Sequence, residues 1–402
     1  WLGTEGYGTY AFALSLIAVL GRLASLGAPE LIIRTTAATP EAERGPVLRG
    51  LLLFGLGLAL SMSALVALGY LVVTGADPRD PAFWSSPVTW AVLFMLPLGA
   101  INGNFTAVLN GLGRIGETIW LGEALRLALY LLALVAAVAV MSVVATPLLA
   151  LQLSVASACV LALILGQRVI GALRRSRDAS GWRWQGREWV GATSTIGLIG
   201  LIMALQQQAD ILMLQWLATP TEVGLFHVAS RNANLLTVFL GAIIVPLNPL
   251  IAKHYAQGEV EHVAKSCRNS TVLALSLAAP PAFVLIFFGN IYLDLVFGPG
   301  YVAAATAMAI LAIAQMIKIS LGVGHALLKM TDHQNTMLGF TLSALIVNVL
   351  LNALLIPAFG ATGAAIATGT SLVVMAISQH FAIGRVLGFN SFAFTAAKRT
   401  AP

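Results

Sequence analysis

Four charged residues lie deep inside apolar stretches of this 402-residue chain: Arg22, Asp210, Arg231 and Lys318. A charge at that depth is rare unless it faces protein or a water-filled cavity, so each is a candidate binding residue. The three cations can bind an anion, and arginine presents a planar fork of donors that suits the oxygens of a diphosphate. The aspartate can carry H⁺ or Na⁺ across a membrane, because such transfer needs a membrane-embedded acid.

Asp210 belongs to the polar run in the stretch ALQQQADILML, residues 204–214. Consecutive helical residues lie about 100° apart, so the three glutamines cannot share a face, whereas Gln206 and Asp210 are four residues apart and do. We expect this stripe to face a central cleft, where glutamine can hydrogen bond to sugar hydroxyls. Two interpretations of Asp210 stay open: a coupling acid, or a permanent salt bridge to Arg231 that ties two helices together.

The buried cations have a structural alternative as well. Arg22 lies fourteen residues after Gly8, roughly 21 Å at helical rise, too deep to reach the membrane surface. Such a cation, like Arg231 or Lys318, either lines a cavity or forms an interhelical hydrogen bond or salt bridge. Arg126 follows Glu123 by three residues, and pairs at that spacing neutralise each other on one helix face, so the structural interpretation is favoured there.

The composition places these residues in a membrane. The chain is 58% hydrophobic and 9% charged, whereas a soluble globular protein carries roughly 25% charged residues. Apolar runs long enough to cross a hydrocarbon core of about 30 Å recur throughout, so an all-α polytopic membrane protein is predicted. The eleven predicted spans cover residues 7–33, 47–73, 87–109, 118–140, 144–166, 190–217, 222–249, 270–297, 302–328, 335–356 and 361–384.

The basic residues between these spans predict the orientation. Sixteen of the 22 Lys and Arg residues fall in one alternate set of loops and termini, and Arg49 lies at the adjoining edge of span 47–73. Arg79 falls in the other set, and four lie deeper within spans. Positive residues are retained in the cytoplasm, so the loop 167–189 and the C-terminus are predicted to be cytoplasmic and the loop 74–86 external. The first residues are then external and carry neither an initiator Met nor a signal peptide. We therefore expect a preceding span, which makes twelve.

The chain also shows a weak internal repeat. EGYGTYAFA, from Glu5, matches EVGLFHVA, from Glu222, when Gly8 is aligned with Gly224, an offset of 216 residues. LNGLGRIGET and LLKMTDHQNT give an offset of 218 in equivalent loops. The predicted domains are an N-terminal bundle at 1–166, a basic linker at 167–189 and a C-terminal bundle at 190–402. Parallel halves imply a pseudo-two-fold axis along the membrane normal and a cleft lined by both bundles.

Here the chain resembles a family. LGTEGYGTYAFALSLIAVLGRLASLGAPELIIR, QQADILMLQWLATPTEVGLFHVASRNANLL, FGPGYVAAATAMAILAIAQM and LLNALLIPAFGATGAAIATGTSLVV are similar to the polysaccharide repeat-unit flippases of the multidrug/oligosaccharidyl-lipid/polysaccharide (MOP) exporter superfamily. The resemblance implies two MATE-like six-helix bundles in a bacterial plasma membrane. It also implies alternating access that flips an undecaprenyl-diphosphate-linked oligosaccharide, as in O-antigen or lipopolysaccharide assembly.

Two alternatives remain at this stage: a cation-coupled multidrug exporter of the same superfamily and an integral-membrane glycosyltransferase or ligase. The excess of Arg22, Arg231 and Lys318 over Asp210 favours an anionic substrate over cationic drugs. The external loop 74–86 offers only the aspartates of ADPRDPAFWSSP, which are typical turn residues, so no enzyme is predicted. Neither a metal nor a cofactor is predicted, since the histidines lack ligand spacing and no nucleotide-binding loop is present. The expected partners are the lipid-linked anionic oligosaccharide, membrane lipid and H⁺ or Na⁺, without nucleic acid, and the expected state is a monomer.

Overall fold

The fold is described from a computed structural model, which covers residues 2–75, 77, 79–140, 144, 146–175, 183–257, 259–324, 327–328 and 334–387. Within these ranges the chain is helical, without strands. The helices are α1 (Gly3–Ser25), α2 (Ala28–Ala38), α3 (Glu41–Thr74), α4 (Pro81–Ser85), α5 (Pro87–Trp90), α6 (Leu96–Gly111), α7 (Ile115–Thr118), α8 (Arg126–Val135), α9 (Pro147–Arg175), α10 (Gly186–Leu217), α11 (Pro220–Ala256), α12 (Val260–Phe287), α13 (Gly289–Phe297), α14 (Ala305–Ser320) and α15 (Gln334–Leu387). Short π-helical turns at Ala91–Met95, Ile119–Leu125 and Ala136–Val140 join or extend neighbouring helices, and a 3₁₀ turn at Pro299–Ala304 precedes α14.

Nine helices among the described residues are long and apolar enough to span a membrane. The last of them, Thr336–Arg385, contains two predicted spans on either side of Gly360, where the backbone leaves helical geometry. Helix α11 is a further helix of 37 residues that coincides with the predicted span 222–249. The predicted all-α polytopic fold is therefore confirmed.

Three predicted spans have wrong boundaries. In one of them, 302–328, α14 ends at Ser320 and Gly322 takes a left-handed backbone conformation. The span 7–33 is broken after Ser25, because Leu26 and Gly27 both take left-handed backbone conformations that end α1 before α2 begins. We call Leu26–Gly27 the α1–α2 elbow. The span 270–297 is also wrong: α12 runs from Val260 to Phe287, and a separate helix, α13, follows it. The first turns of α12 contain polar residues, so hydropathy alone does not detect where this helix begins.

The chain divides into two compact units. The first unit contains Phe12–Gln208, and the second joins Gly3–Ala11 to the residues from Ala209 onward. The predicted domains at 1–166 and 190–402, joined by a linker at 167–189, stay a prediction, whereas this division falls inside α10. The reason is local packing: a Cβ on Gly27 or Gly197 would collide with the other segment, so the early turns of α10 lie tightly against the α1–α2 elbow.

Each unit has its own packing. In the first, α3, α6 and α9 enclose a core that includes Leu51, Leu109 and Leu165. The ring of Trp189 on α10 packs at a tilt against Phe54, with 5.6 Å between ring centroids. In the second, α11, α12 and α14 pack against one another and α15 packs against α14 and α11.

The first turns of α1 join the second unit through a glycine crossing. A Cβ on Gly8 would collide with the carbonyl oxygen of Pro220, and a Cβ on Gly224 would collide with that of Thr4. The two helices therefore approach to backbone contact, as small residues allow in membranes. These are the two glycines that the repeat alignment superposed.

Candidate functional site

Asp210 lies in a buried polar cluster of the second unit. Its side chain is 5% exposed, and its Oδ1 accepts hydrogen bonds from Nδ2 of Asn348 at 2.8 Å and of Asn352 at 2.7 Å. The Thr368 hydroxyl, which donates to the Ala364 carbonyl oxygen at 2.8 Å, lies near the same carboxylate. The two asparagines are one helical turn apart on α15, so both face α10. We call Asp210, Asn348, Asn352 and Thr368 the acid cluster.

The acid cluster contains one carboxyl group, and its hydrogen-bond partners among the described residues are neutral. Among the described residues no cation forms an ion pair with Asp210. The Oδ1 atom of Asn352 is buried there without a hydrogen-bond partner in the described part of the chain. Burying an unpaired carboxylate costs several kcal/mol, about as much as a bound proton or cation would recover. Carboxylate, amide and hydroxyl oxygens are the donors that hard monovalent and divalent cations take, so the cluster is chemically suited to Na⁺ or H⁺.

The predicted pairing of Asp210 with Arg231 is wrong in this structure. The carboxylate faces α15, whereas Arg231 donates from Nε to Nε2 of His227 at 3.3 Å on its own helix. Nδ1 of His227 lies 2.7 Å from the Tyr7 hydroxyl. Because a neutral imidazole that accepts at Nε2 carries its proton on Nδ1, His227 donates to Tyr7. Arg231 is thus held by a hydrogen bond to a neutral group and has no acidic partner among the residues that the structure describes.

Four polar residues form a row along two helices, and we call this row the ladder: Arg231 and Asn234 on α11, and Gln315 and Lys318 on α14. Asn234 follows Arg231 by three residues on α11, and its Oδ1 accepts a hydrogen bond of 2.8 Å from Nε2 of Gln315 on α14. Lys318 lies three residues beyond Gln315, on the same face. The predicted alternation of spans makes α11 and α14 run in the same direction, so the two cations lie on opposite sides of the amide pair, roughly 9 Å apart in depth. In the described part of the chain neither cation has an acidic partner.

Arg22 lies in the first unit beside the α1–α2 elbow. Its Nη1 forms a salt bridge of 3.0 Å with Oε1 of Glu30, and both side chains are about half exposed. The elbow brings the last turn of α1, which carries Arg22, to the first turn of α2, which carries Glu30. Each charge also interacts favourably with the dipole of its own helix. The side-chain stem of Arg22 runs past Gly200 of α10. The pair uses one nitrogen of the guanidinium, so the remaining donors of the fork can bind a phosphate oxygen.

The three glutamines differ in exposure. Gln207 is exposed, while Gln206 and Gln208 are half-buried and Asp210 is buried. Of the stripe formed by Gln206 and Asp210, the Asp210 end is therefore buried against other helices. That Arg22, Arg231, Lys318, Gln206 and Asp210 line one central cavity stays a prediction.

Several residues of these clusters were not predicted from sequence. Asn348 and Asn352 stand at i and i+4 within an otherwise apolar span, which is a readable signal for a polar face. The sequence predicts a polar helix contact for His227, and the structure shows it as a contact of Tyr7 and Arg231. Glu30 was expected near a span end, within reach of water, and its salt bridge to Arg22 was not predicted. Glu123, the predicted partner of Arg126, and His325 lie outside the described side chains. Among those described, no group of three His, Cys, Asp or Glu residues is arranged to hold a metal.

Comparison with solved structures defines the fold family. A multidrug resistance MATE family transporter of the MOP superfamily, in an inward-facing conformation, superposes with a TM-score of 0.72 over 95% of this chain and 90% of the other, at 14% identity. This chain has the MATE fold. The lipid II flippase MurJ has the same fold, with a TM-score of 0.67 over 95% of this chain and 82% of its own, at 9% identity.

Sequence comparison agrees with the MATE fold. The MatE family model matches residues 196–354, which contain most of the acid cluster and the ladder. A probable low-salt glycan biosynthesis flippase, Agl15 of Haloferax volcanii, is 25% identical over 168 residues, 41% of this chain. The match spans 35% of that relative's length. The predicted MATE-like class is confirmed, and the similar proteins are transporters and flippases rather than enzymes.

Proposed function

We propose that this chain is an alternating-access transporter that flips an undecaprenyl-diphosphate-linked oligosaccharide from the inner to the outer leaflet. The observation that carries the proposal is the ladder of Arg231 and Lys318 on α11 and α14, two cations without acidic partners in the described residues. Uncompensated cations within membrane spans mark an anion pathway. The similarity to a glycan biosynthesis flippase and to the MurJ fold supports a lipid-linked sugar as cargo.

A cation-coupled multidrug exporter is the second candidate, because the MATE fold includes such transporters. The acid cluster is the feature that favours it. Its carboxylate is 5% exposed, however, and a drug-sized cation needs a pocket of several hundred Å³ rather than a buried carboxylate. We therefore assign Asp210 to the coupling ion, H⁺ or Na⁺, and the cationic ladder to the cargo.

Two energy sources can act together in this scheme. An inside-negative potential favours outward movement of a diphosphate by about 2.3 kcal/mol per charge per 100 mV. Inward flow of H⁺ or Na⁺ through the acid cluster adds a second contribution. The decisive test is a transport assay with a defined undecaprenyl-diphosphate-linked oligosaccharide in proteoliposomes. Extrusion of ethidium without flipping would support the exporter instead.

The proposal places the chain in a bacterial plasma membrane with a cytoplasmic C-terminus. The one-sided distribution of basic residues predicts that position 79 is external and position 177 is cytoplasmic. In a background without Cys159 and Cys267, an impermeant maleimide added to intact cells should label Arg79→Cys and spare Arg177→Cys until the membrane is permeabilised. Labelling in the opposite order would overturn the orientation.

Replacing Arg231 should impair transport of the lipid-linked oligosaccharide. A charge-assisted hydrogen bond is worth about 1.5–3 kcal/mol, so Arg231→Gln should slow flipping roughly 10- to 100-fold. Arg231→Lys should recover part of the rate if charge matters more than the guanidinium fork. Flipping is measured in proteoliposomes at matched protein density, with Arg79→Gln as the control for loss of one positive charge. A parental rate in Arg231→Gln would remove Arg231 from the pathway.

A further inference from the structure

A concave apolar groove lies in the second unit, against α11 and α12. Its volume is about 450 Å³, and its walls include Leu235, Val238 and Phe239 from α11 and Pro281 and Val284 from α12. Leu235 and Val238 are 58% and 60% exposed. The volume is in the range of small-molecule sites, and the walls are hydrocarbon, so the groove suits an apolar chain.

One part of the groove contains two polar residues that are hydrogen-bonded to each other. The Tyr292 hydroxyl of α13 donates to Oδ1 of Asn232 at 2.6 Å, and both residues line the groove. The hydrogen bond ties α13 to α11 and leaves the tyrosine ring beside the apolar walls. An occupant therefore does not need to supply a polar partner inside the groove.

A cation lies at the edge of the same surface. Arg231, Leu235 and Val238 are spaced i, i+4 and i+7 on α11 and form one stripe along the helix. Arg231 is exposed, and the stripe from it to Val238 is roughly 10 Å long. The surface thus places an exposed positive charge one helical turn from an apolar channel, which matches a molecule with an anionic head and a linear hydrocarbon tail.

We propose that this groove binds the polyprenyl chain of the transported lipid, next to a diphosphate held by Arg231. The proposal rests on the proposed function, since it assigns the tail of that same cargo. It explains why the stripe combines one charge with exposed leucine and valine: head and tail are recognised together on one helix face. A head bound without its tail, or a tail without its head, gains only part of the binding free energy.

The test is binding of geranylgeranyl diphosphate to the purified protein in detergent. Binding is measured as the rise in the thermal unfolding midpoint. Leu235→Trp fills the groove, and Leu273→Trp, on α12 outside the groove walls and 52% exposed, is the matched control. We expect geranylgeranyl diphosphate to stabilise the parent and Leu273→Trp, and to bind Leu235→Trp at least tenfold more weakly. Geranylgeraniol and inorganic diphosphate, each carrying one half of the ligand, should bind more weakly than the intact molecule.

Equal binding to Leu235→Trp and Leu273→Trp would overturn the proposal. So would equal stabilisation by a diacyl phosphatidic acid, which would make the groove a general lipid contact. Proteoliposome flipping separates this inference from the function on which it rests. If the parent flips the lipid-linked oligosaccharide and Leu235→Trp matches Leu273→Trp, the tail site alone is wrong. If the parent does not flip it, the proposed function is wrong whatever the binding result.

Discussion

Gly224→Ala should destabilise the protein strongly although it adds one methyl group. The new Cβ would collide with the carbonyl oxygen of Thr4 and lie 3.2 Å from the amide nitrogen of Gly8. Both obstacles are backbone atoms, so no change of rotamer relieves them, and α1 must move away from α11. Overpacking of this kind costs about 1–3 kcal/mol. The separation also stretches the hydrogen bond of Tyr7 to His227, which lies one turn further along.

The control for this prediction is on the same helix. A Cβ on Gly241 of α11 would meet no atom within 4 Å, and the residue is exposed. Gly241→Ala should therefore be neutral or stabilise by up to about 1 kcal/mol, the intrinsic helix preference of alanine. The measurement is the thermal unfolding midpoint of each purified variant in the same detergent. Equal midpoints for the two alanine variants would show that the glycine crossing does not contribute to stability.

The sequence predicted most spans because their signal is local. A helix that crosses the membrane must be apolar over a set length, and hydropathy detects that property without knowledge of the neighbours. The break at the α1–α2 elbow was missed even though Gly27 and Pro29 stand where a helix end favours glycine and a helix start favours proline. Apolar residues on both sides hid it, since hydropathy does not register a change in backbone direction.

The partners of the charged residues were harder to predict because they depend on packing. Asp210 and Asn352 are 142 residues apart, and nothing in either segment states which helices meet. The assumption that opposite charges pair favoured Arg231 as the partner of Asp210, but helix α10 turns its carboxylate toward α15 instead. Gly8 and Gly224 were aligned in the repeat, but their close contact was not predicted, because it depends on which two helices meet.

Asp210→Asn should give a folded protein that no longer responds to the coupling ion. The amide has the shape of the carboxylate and keeps hydrogen-bonding capacity toward Asn348 and Asn352, but it lacks the charge that attracts a cation. Removing the carboxyl group also removes the desolvation cost of its charged form, which is several kcal/mol. We therefore expect Asp210→Asn to unfold at an equal or higher temperature than the parent in buffer without Na⁺. Asp294→Asn, an exposed aspartate of α13, is the matched control.

Two measurements on the acid cluster distinguish Na⁺ from H⁺ as the coupling ion. If Na⁺ is coupled, NaCl should raise the unfolding midpoint of the parent and of Asp294→Asn above that in choline chloride, by about 2.7 kcal/mol of stability at a hundredfold excess over Kd. Asp210→Asn should lose this difference, and Asn352→Ala should reduce it while the carboxylate remains.

If H⁺ is coupled, NaCl has no such effect, and flipping by the parent responds to an imposed pH gradient. In both cases flipping by Asp210→Asn should be insensitive to the gradient that drives the parent. A variant that flips at the parental rate with the parental response to both gradients would make Asp210 purely architectural, since its hydrogen bonds to α15 would then be its whole role.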